Sequence, residues 1–181
     1  MTRHGLTIQR VLALLCVAFG CFYDQNGNLP ALAAAVVIHE LGHFFVLKFF
    51  HVRNLMLRYS LAGLELNYAA VLPPWQRALA LAGGPFAGGL YAALCLKFGN
   101  TFFLKSGAFS TVLTSFNLLP ARPLDGGRLL EVFCADYVCK RCSLCVALLV
   151  LFLGTLFLIE SGNLHMLLMG VWLLLYGRLL R

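Results

Sequence analysis

Charge is what this chain has least of. Only 12% of its 181 residues are Asp, Glu, Lys or Arg, about half the roughly 25% usual in soluble domains. Acidic residues are the scarcest, at 7. So little charge excludes an ordinary water-soluble globule. With 61% hydrophobic residues and a mean hydropathy of +0.85, it excludes a disordered chain as well. Proline is also sparse, at 6, so apolar runs are seldom interrupted. Those runs approach the ~20 residues that cross a bilayer. They read as six spans, at 8–23, 30–50, 77–98, 102–119, 142–159 and 164–180. Turn-forming stretches part them, among them Asp24 to Asn28, Pro73-Pro74, Gly99-Asn100 and Glu160 to Asn163. The sequence therefore predicts an all-α polytopic membrane protein, a single domain over residues 1–181 with no room for an appended soluble domain.

The formal charge of +7 could suggest a nucleic-acid partner, but its distribution points elsewhere. Of the 14 basic residues, all but Lys97 and Lys105 fall on one side of the six spans. By the positive-inside rule that side is cytoplasmic, which predicts a multi-pass protein of the cell membrane with both termini inside. Topology accounts for the charge, and no nucleic acid is expected. Arg3, Arg10, Ala18 and Gly20 would also suit a cleavable secretory signal. Retention of the first span is the reading adopted, because its removal leaves an odd number of spans and a less orderly charge count.

The chemistry begins at His39-Glu40-Leu41-Gly42-His43. Helical residues four apart share a face about 5–6 Å apart, so both imidazoles can reach one metal ion. Glu40, beside the first, can take a proton from a water activated there. In lipid, two His and one Glu on a single helix are costly unless they serve a purpose.

A catalytic zinc site needs a third protein ligand and an open position. His51 is eight residues beyond His43, about 12 Å along a helix; His4 lies in the N-terminal tail and His165 on the outer side. Glu65 is one candidate, in a segment with strand-like alternation. Asp125 is the better one, in Asn117-Leu-Leu-Pro-Ala-Arg-Pro-Leu-Asp125-Gly-Gly. Pro120 and Pro123 break the helix there, and Gly126-Gly127 leaves the backbone free to turn, so an unwound segment is expected. Such a segment is tolerable at membrane depth only against protein or a wet cavity. Depth agrees: His43 and His39 lie roughly 8 and 14 Å inside the cytoplasmic boundary, and Asp125 falls at the inner end of the fourth span.

The pairing of HELGH with Asn-x-x-Pro-x-x-Pro-Leu-Asp-Gly, with Leu81-Ala-Gly-Gly-Pro85 between them, resembles the site-2 protease family of intramembrane zinc metalloproteases. The likeness covers about residues 30 to 130, the expected core. In its length and span number the chain looks most like the short bacterial branch that contains the sporulation sigma-factor-processing protease, without room for that enzyme's nucleotide-sensing domain or for the PDZ domain of other branches. The resemblance implies one Zn2+ held by His39, His43 and Asp125, with Glu40 activating water. It also implies that Asn117 is an active-site residue that holds substrate or stabilises developing charge. Asn117 can equally be read as an amide bonding a neighbouring helix. The implied partners are the lipid bilayer, a membrane-anchored protein substrate and, as a further candidate, a separate regulatory membrane protein. Gly83, Gly84, Pro85, Gly88 and Gly89 read mainly as close helix packing.

Between the second and third spans, Leu55 to Leu61 and Leu64 to Tyr68 alternate around Ala62-Gly63, which suggests a small β-hairpin on the cytoplasmic face. Its plain role is to cover the membrane surface; the functional one is an edge that pairs with an extended substrate. Cys134, Cys139, Cys142 and Cys145 cluster at the fifth span with a spacing that matches no standard metal motif, so apolar packing is their expected role. Two rival functions remain: a membrane metal-binding or transport protein using the same ligands, and an inactive regulator that binds membrane helices. The near-absence of polar groups from the outer half argues against the first, and the full catalytic set argues against the second.

Overall fold

The computed structural model describes residue 24 and residues 26–52, 56–60, 63–67 and 72–179. The expected first span at 8–23, with the question of its retention, lies outside these residues. The described elements are α1 (Asn28–Phe49), β1 (Met56–Ser60), β2 (Gly63–Asn67), α2 (Pro74–Phe98), α3 (Thr101–Asn117), α4 (Asp125–Phe133), α5 (Asp136–Ser161) and α6 (His165–Leu179).

Local chemistry sets the ends of these helices. The Asp24 carboxylate accepts the Leu29 N–H at 2.6 Å, satisfying one of the donors left over in the first turn of α1. That same backbone hydrogen bond holds the Asp24 carboxyl below the usual carboxylate range. Pro74 opens α2, where its missing N–H costs nothing. Asn100 caps α3 by accepting from Phe102 N–H at 2.8 Å. Gly99 and Gly162, at φ of 60° and 69°, close α2 and α5 in the left-handed conformation.

The expected fold class is corrected. Among the described residues three helices, not about six, are long and apolar enough to cross a bilayer: α1, α2 and α5, of 22, 25 and 26 residues. The run expected at 102–119 is the 17-residue α3, and that at 164–180 is the 15-residue α6. The run at 102–119 takes in Leu118 and Leu119, apolar residues that lie beyond the end of α3 at Asn117. Where the sequence alternates, two five-residue strands pair antiparallel among the described residues, Arg58 opposite Glu65 and Ser60 opposite Gly63. Large apolar side chains face outward on the long helices, with Phe86 74% and Ile159 83% exposed. Such surfaces suit hydrocarbon rather than water.

α1 packs on α2 and α3, α2 on α3 and α4, and α5 on α6. One buried cluster joins Leu47 and Val52 to Ala80; another joins Ala121 and Leu124 to Ala147, Val150 and Leu173. α1 and α2 touch backbone to backbone. A Cβ on Gly83 would lie 2.7 Å from the Gly42 carbonyl oxygen, and one on Gly42 would lie 2.7 Å from the Ala87 Cβ. Only glycine at both positions permits this approach.

A charged clamp anchors the short helix α4. Glu131 pairs with Arg122 and lies 3.8 Å from Arg77 of α2, while Arg122 reaches Asp136 at 3.0 Å and Asp136 reaches Lys140 at 2.7 Å. Glu131→Ala is expected to cost about 1 kcal/mol, since the pairs are partly exposed. The corresponding fall in thermal midpoint, about 2–4 °C, is measurable by melting in detergent, and an unchanged midpoint would remove the clamp from the account.

Candidate metal centre

The motif helix and the distant aspartate meet. His39 is 3% exposed, facing the interior of the bundle one turn before His43 on α1. The Nε2 atoms of His39 and His43 lie 3.0 and 3.1 Å from the same oxygen, Oδ2 of Asp125. One ligand atom from each residue falls within 4.8 Å of the other two. The two rings stand edge to face, with centroids 5.0 Å apart. Zn–N and Zn–O bonds of about 2.0–2.2 Å place the ligands of a tetrahedral site roughly 3.3–3.6 Å apart. The two separations from Asp125 need to open by only a few tenths of an ångström, the third pair lies within 4.8 Å, and the donor set of two imidazoles and one carboxylate suits zinc. The residues fit the ion.

Second contacts orient one of the ligands. His43 Nδ1 donates to the Ala80 carbonyl at 2.7 Å, which turns Nε2 toward Asp125. Gly84 makes room for that ring: a Cβ there would lie 2.6 Å from both Cδ2 and Cε1 of His43 and closer still to Nε2. Glu40 is half-buried beside His39, within electrostatic reach of His43, His39, Asp125 and Arg128.

Asp125 is reached differently from what the sequence suggests. The unwound segment is residues 118–124, and Asp125 stands just past it in the first turn of α4, a position where an acidic residue is favoured by the helix dipole. Gly126 and Gly127 are helical and buried. What requires them is close contact: a Cβ on Gly126 would meet the Leu118–Leu119 backbone, and one on Gly127 the Ala121 and Arg122 backbone, the latter at 2.7 Å.

The remaining candidates divide. Asn117 is half-buried as the last residue of α3 and is outside the three-ligand group. Glu65 lies on β2; His51 and His165 are exposed, and neither joins that group. Among the described residues the four clustered cysteines form no metal-competent group; Cys139 is buried and contacts the Cys134 carbonyl at 3.8 Å. Of the glycines read as packing, Gly83, Gly84 and Gly88 are in tight contact, whereas Gly89 has nothing within 4 Å of its missing Cβ.

A polar ladder on α3 went unread in the sequence. Ser106, Ser110 and Thr114 recur every four residues and so share a face. The Ser106 hydroxyl donates to the Ala31 carbonyl of α1 at 2.8 Å and meets the Tyr91 hydroxyl at 3.0 Å; Ser110 donates to the Gly88 carbonyl of α2 at 2.9 Å. Hydroxyls at helical spacing in an apolar run were the available signal.

No protein-family model matches the sequence, and a search of curated proteins returned no match. Among solved structures the chain is similar to the site-2 protease from Methanocaldococcus jannaschii, with 20% sequence identity and a TM-score of 0.66. The match covers 94% of this chain and 86% of that one. At this identity the likeness establishes a shared fold.

Proposed function

We propose that the chain is an intramembrane zinc metalloprotease that hydrolyses peptide bonds in or near the transmembrane segments of membrane-anchored proteins. The observation that carries this reading is the convergence of His39, His43 and Asp125, drawn from two separate helices, at zinc-ligand spacing. The shared fold with a site-2 protease supports it. The apolar helices support a multi-pass arrangement, and the basic residues support cytoplasmic termini.

His39, His43 and Asp125 would hold the ion, and the Ala80 carbonyl and Gly84 keep His43 in its binding orientation. Zinc, when bound, supplies a Lewis acid that polarises the scissile carbonyl and makes a nearby water more acidic. Glu40 takes the proton of the attacking water and delivers it to the leaving amine. Asn117, at the inner end of α3, is the residue assigned to hold the substrate backbone.

The test is made on the full chain in detergent. The wild type is expected to bind one equivalent of zinc and to cleave single-span membrane peptides, to lose cleavage to a chelator, and to regain it with zinc. Asp125→Ala should bind zinc at least about 100-fold more weakly, since one of three protein ligands is gone. Stoichiometric zinc in Asp125→Ala, or cleavage that survives complete metal removal, would refute the proposal.

A further inference from the structure

His39 and His43 are both placed as ligands, yet only His43 has its second ring nitrogen engaged. The Nδ1 of His39 is buried and has no hydrogen-bond partner. A ring nitrogen in that position costs free energy unless it is paired, and a ligating imidazole ordinarily donates its other N–H to an acceptor that fixes tautomer and orientation. Among the described residues one other buried side-chain atom shares this state, the Thr114 hydroxyl oxygen. Both atoms flank the same small notch. A Cβ built on Gly88 would collide with Thr114 Oγ1 and stand 3.5 Å from His39 Nδ1.

The ladder on α3 makes the pairing specific. Its first two rungs, Ser106 and Ser110, spend their protons on the Ala31 and Gly88 carbonyls and hold helices together. The third, Thr114, makes no such bond, although it stands on the same face and its oxygen is just as enclosed. A third hydroxyl left free opposite a free imidazole N–H is the complement that His39 lacks.

Resting on the metalloprotease reading above, we propose that Thr114 is the positioning residue of His39: when the ion binds, a side-chain adjustment across the Gly88 notch brings its hydroxyl oxygen to accept the Nδ1–H hydrogen bond, which presents Nε2 to the ion. Glycine at 88 keeps the space between them open. Thr114 acts through His39 and touches neither metal nor substrate.

The experiment compares zinc affinity by chelator competition, and the visible absorption of the Co(II)-substituted protein, for four full-length chains in detergent. Thr114→Val keeps the shape and removes the hydroxyl. Thr114→Ser keeps the hydroxyl, and Ser110→Ala removes the neighbouring rung. Thr114→Val is expected to bind zinc about 10- to 100-fold more weakly, as loss of such a partner does elsewhere, and to shift the Co(II) bands. Thr114→Ser should stay within about 3-fold of wild type, and Ser110→Ala should lose thermal stability without losing zinc affinity. Wild-type affinity in Thr114→Val overturns the proposal, as does equal weakening in the Val and Ser variants, or a loss confined to Ser110→Ala. If valine prevents folding, Thr114→Ala takes its place with the same expectation. A wild type that binds no zinc would defeat the metalloprotease reading itself, whereas zinc bound equally by wild type and Thr114→Val would defeat this inference alone.

Discussion

Glu40→Gln is expected to lower the rate of peptide cleavage by about 10²- to 10⁴-fold, the usual worth of a positioned general base, while zinc content stays at the wild-type level. The substitution keeps the size of the side chain and removes its ability to accept a proton. None of the three ligand side chains is altered, and the 3.0 and 3.1 Å contacts with Asp125 do not involve residue 40. The split between readouts is the informative part. A transporter or a silent helix-binding relative has no proton for Glu40 to carry, so wild type and variant would behave alike. Loss of zinc together with cleavage would instead make Glu40 a ligand or a structural support.

Gly84→Ala is expected to lower zinc affinity by at least about 100-fold, with cleavage falling at least as far, although residue 84 bears no ligating atom. The added methyl would occupy space held by the His43 ring, 2.6 Å from two of its carbons. Neither side yields readily. The glycine is on a buried stretch of α2 followed by Pro85, and the ring is tied to Ala80 at 2.7 Å and to Asp125 at 3.1 Å. Either the ring turns away and the ion loses a ligand, or α2 moves and the backbone contact between Gly42 and Gly83 opens. Overpacking of this sort costs about 1–3 kcal/mol in stability. Gly89→Ala, five residues along the same helix, meets nothing within 4 Å and should be neutral or stabilising by up to about 1 kcal/mol. Equal zinc affinity in the two variants, measured by chelator competition, would sever His43 from Gly84.

The centre was more legible in the sequence than the architecture around it. His39, Glu40 and His43 follow from helical spacing alone, because residues four apart must share a face. Asp125 needed a second consideration, that both stretches reach the same leaflet, and its approach to both imidazoles agrees with that. The conformation of its segment was legible in part. Pro120 and Pro123 lie in the non-helical stretch 118–124 between α3 and α4, as propensity suggests, but Gly126 and Gly127 are helical, and are glycine because the Leu118–Arg122 backbone presses against that helix. Tertiary contact decided what local preference could not. Among the described residues the span count was also lower than the runs suggest, since hydropathy does not reveal where a cap ends a helix inside an apolar run. The Ser106–Thr114 ladder was visible as a period-four pattern, but its partners on α1 and α2 were not.

Asp125 lies 82 and 86 residues along the chain from the two imidazoles that it contacts. During synthesis both imidazoles therefore leave the ribosome long before the carboxylate exists. If the proposed zinc site is correct, a nascent chain halted after α3 would carry two of its three protein ligands and hold an ion only weakly. On the proposed reading, the complete set of three ligands would therefore come together only after α4 has been made and docked.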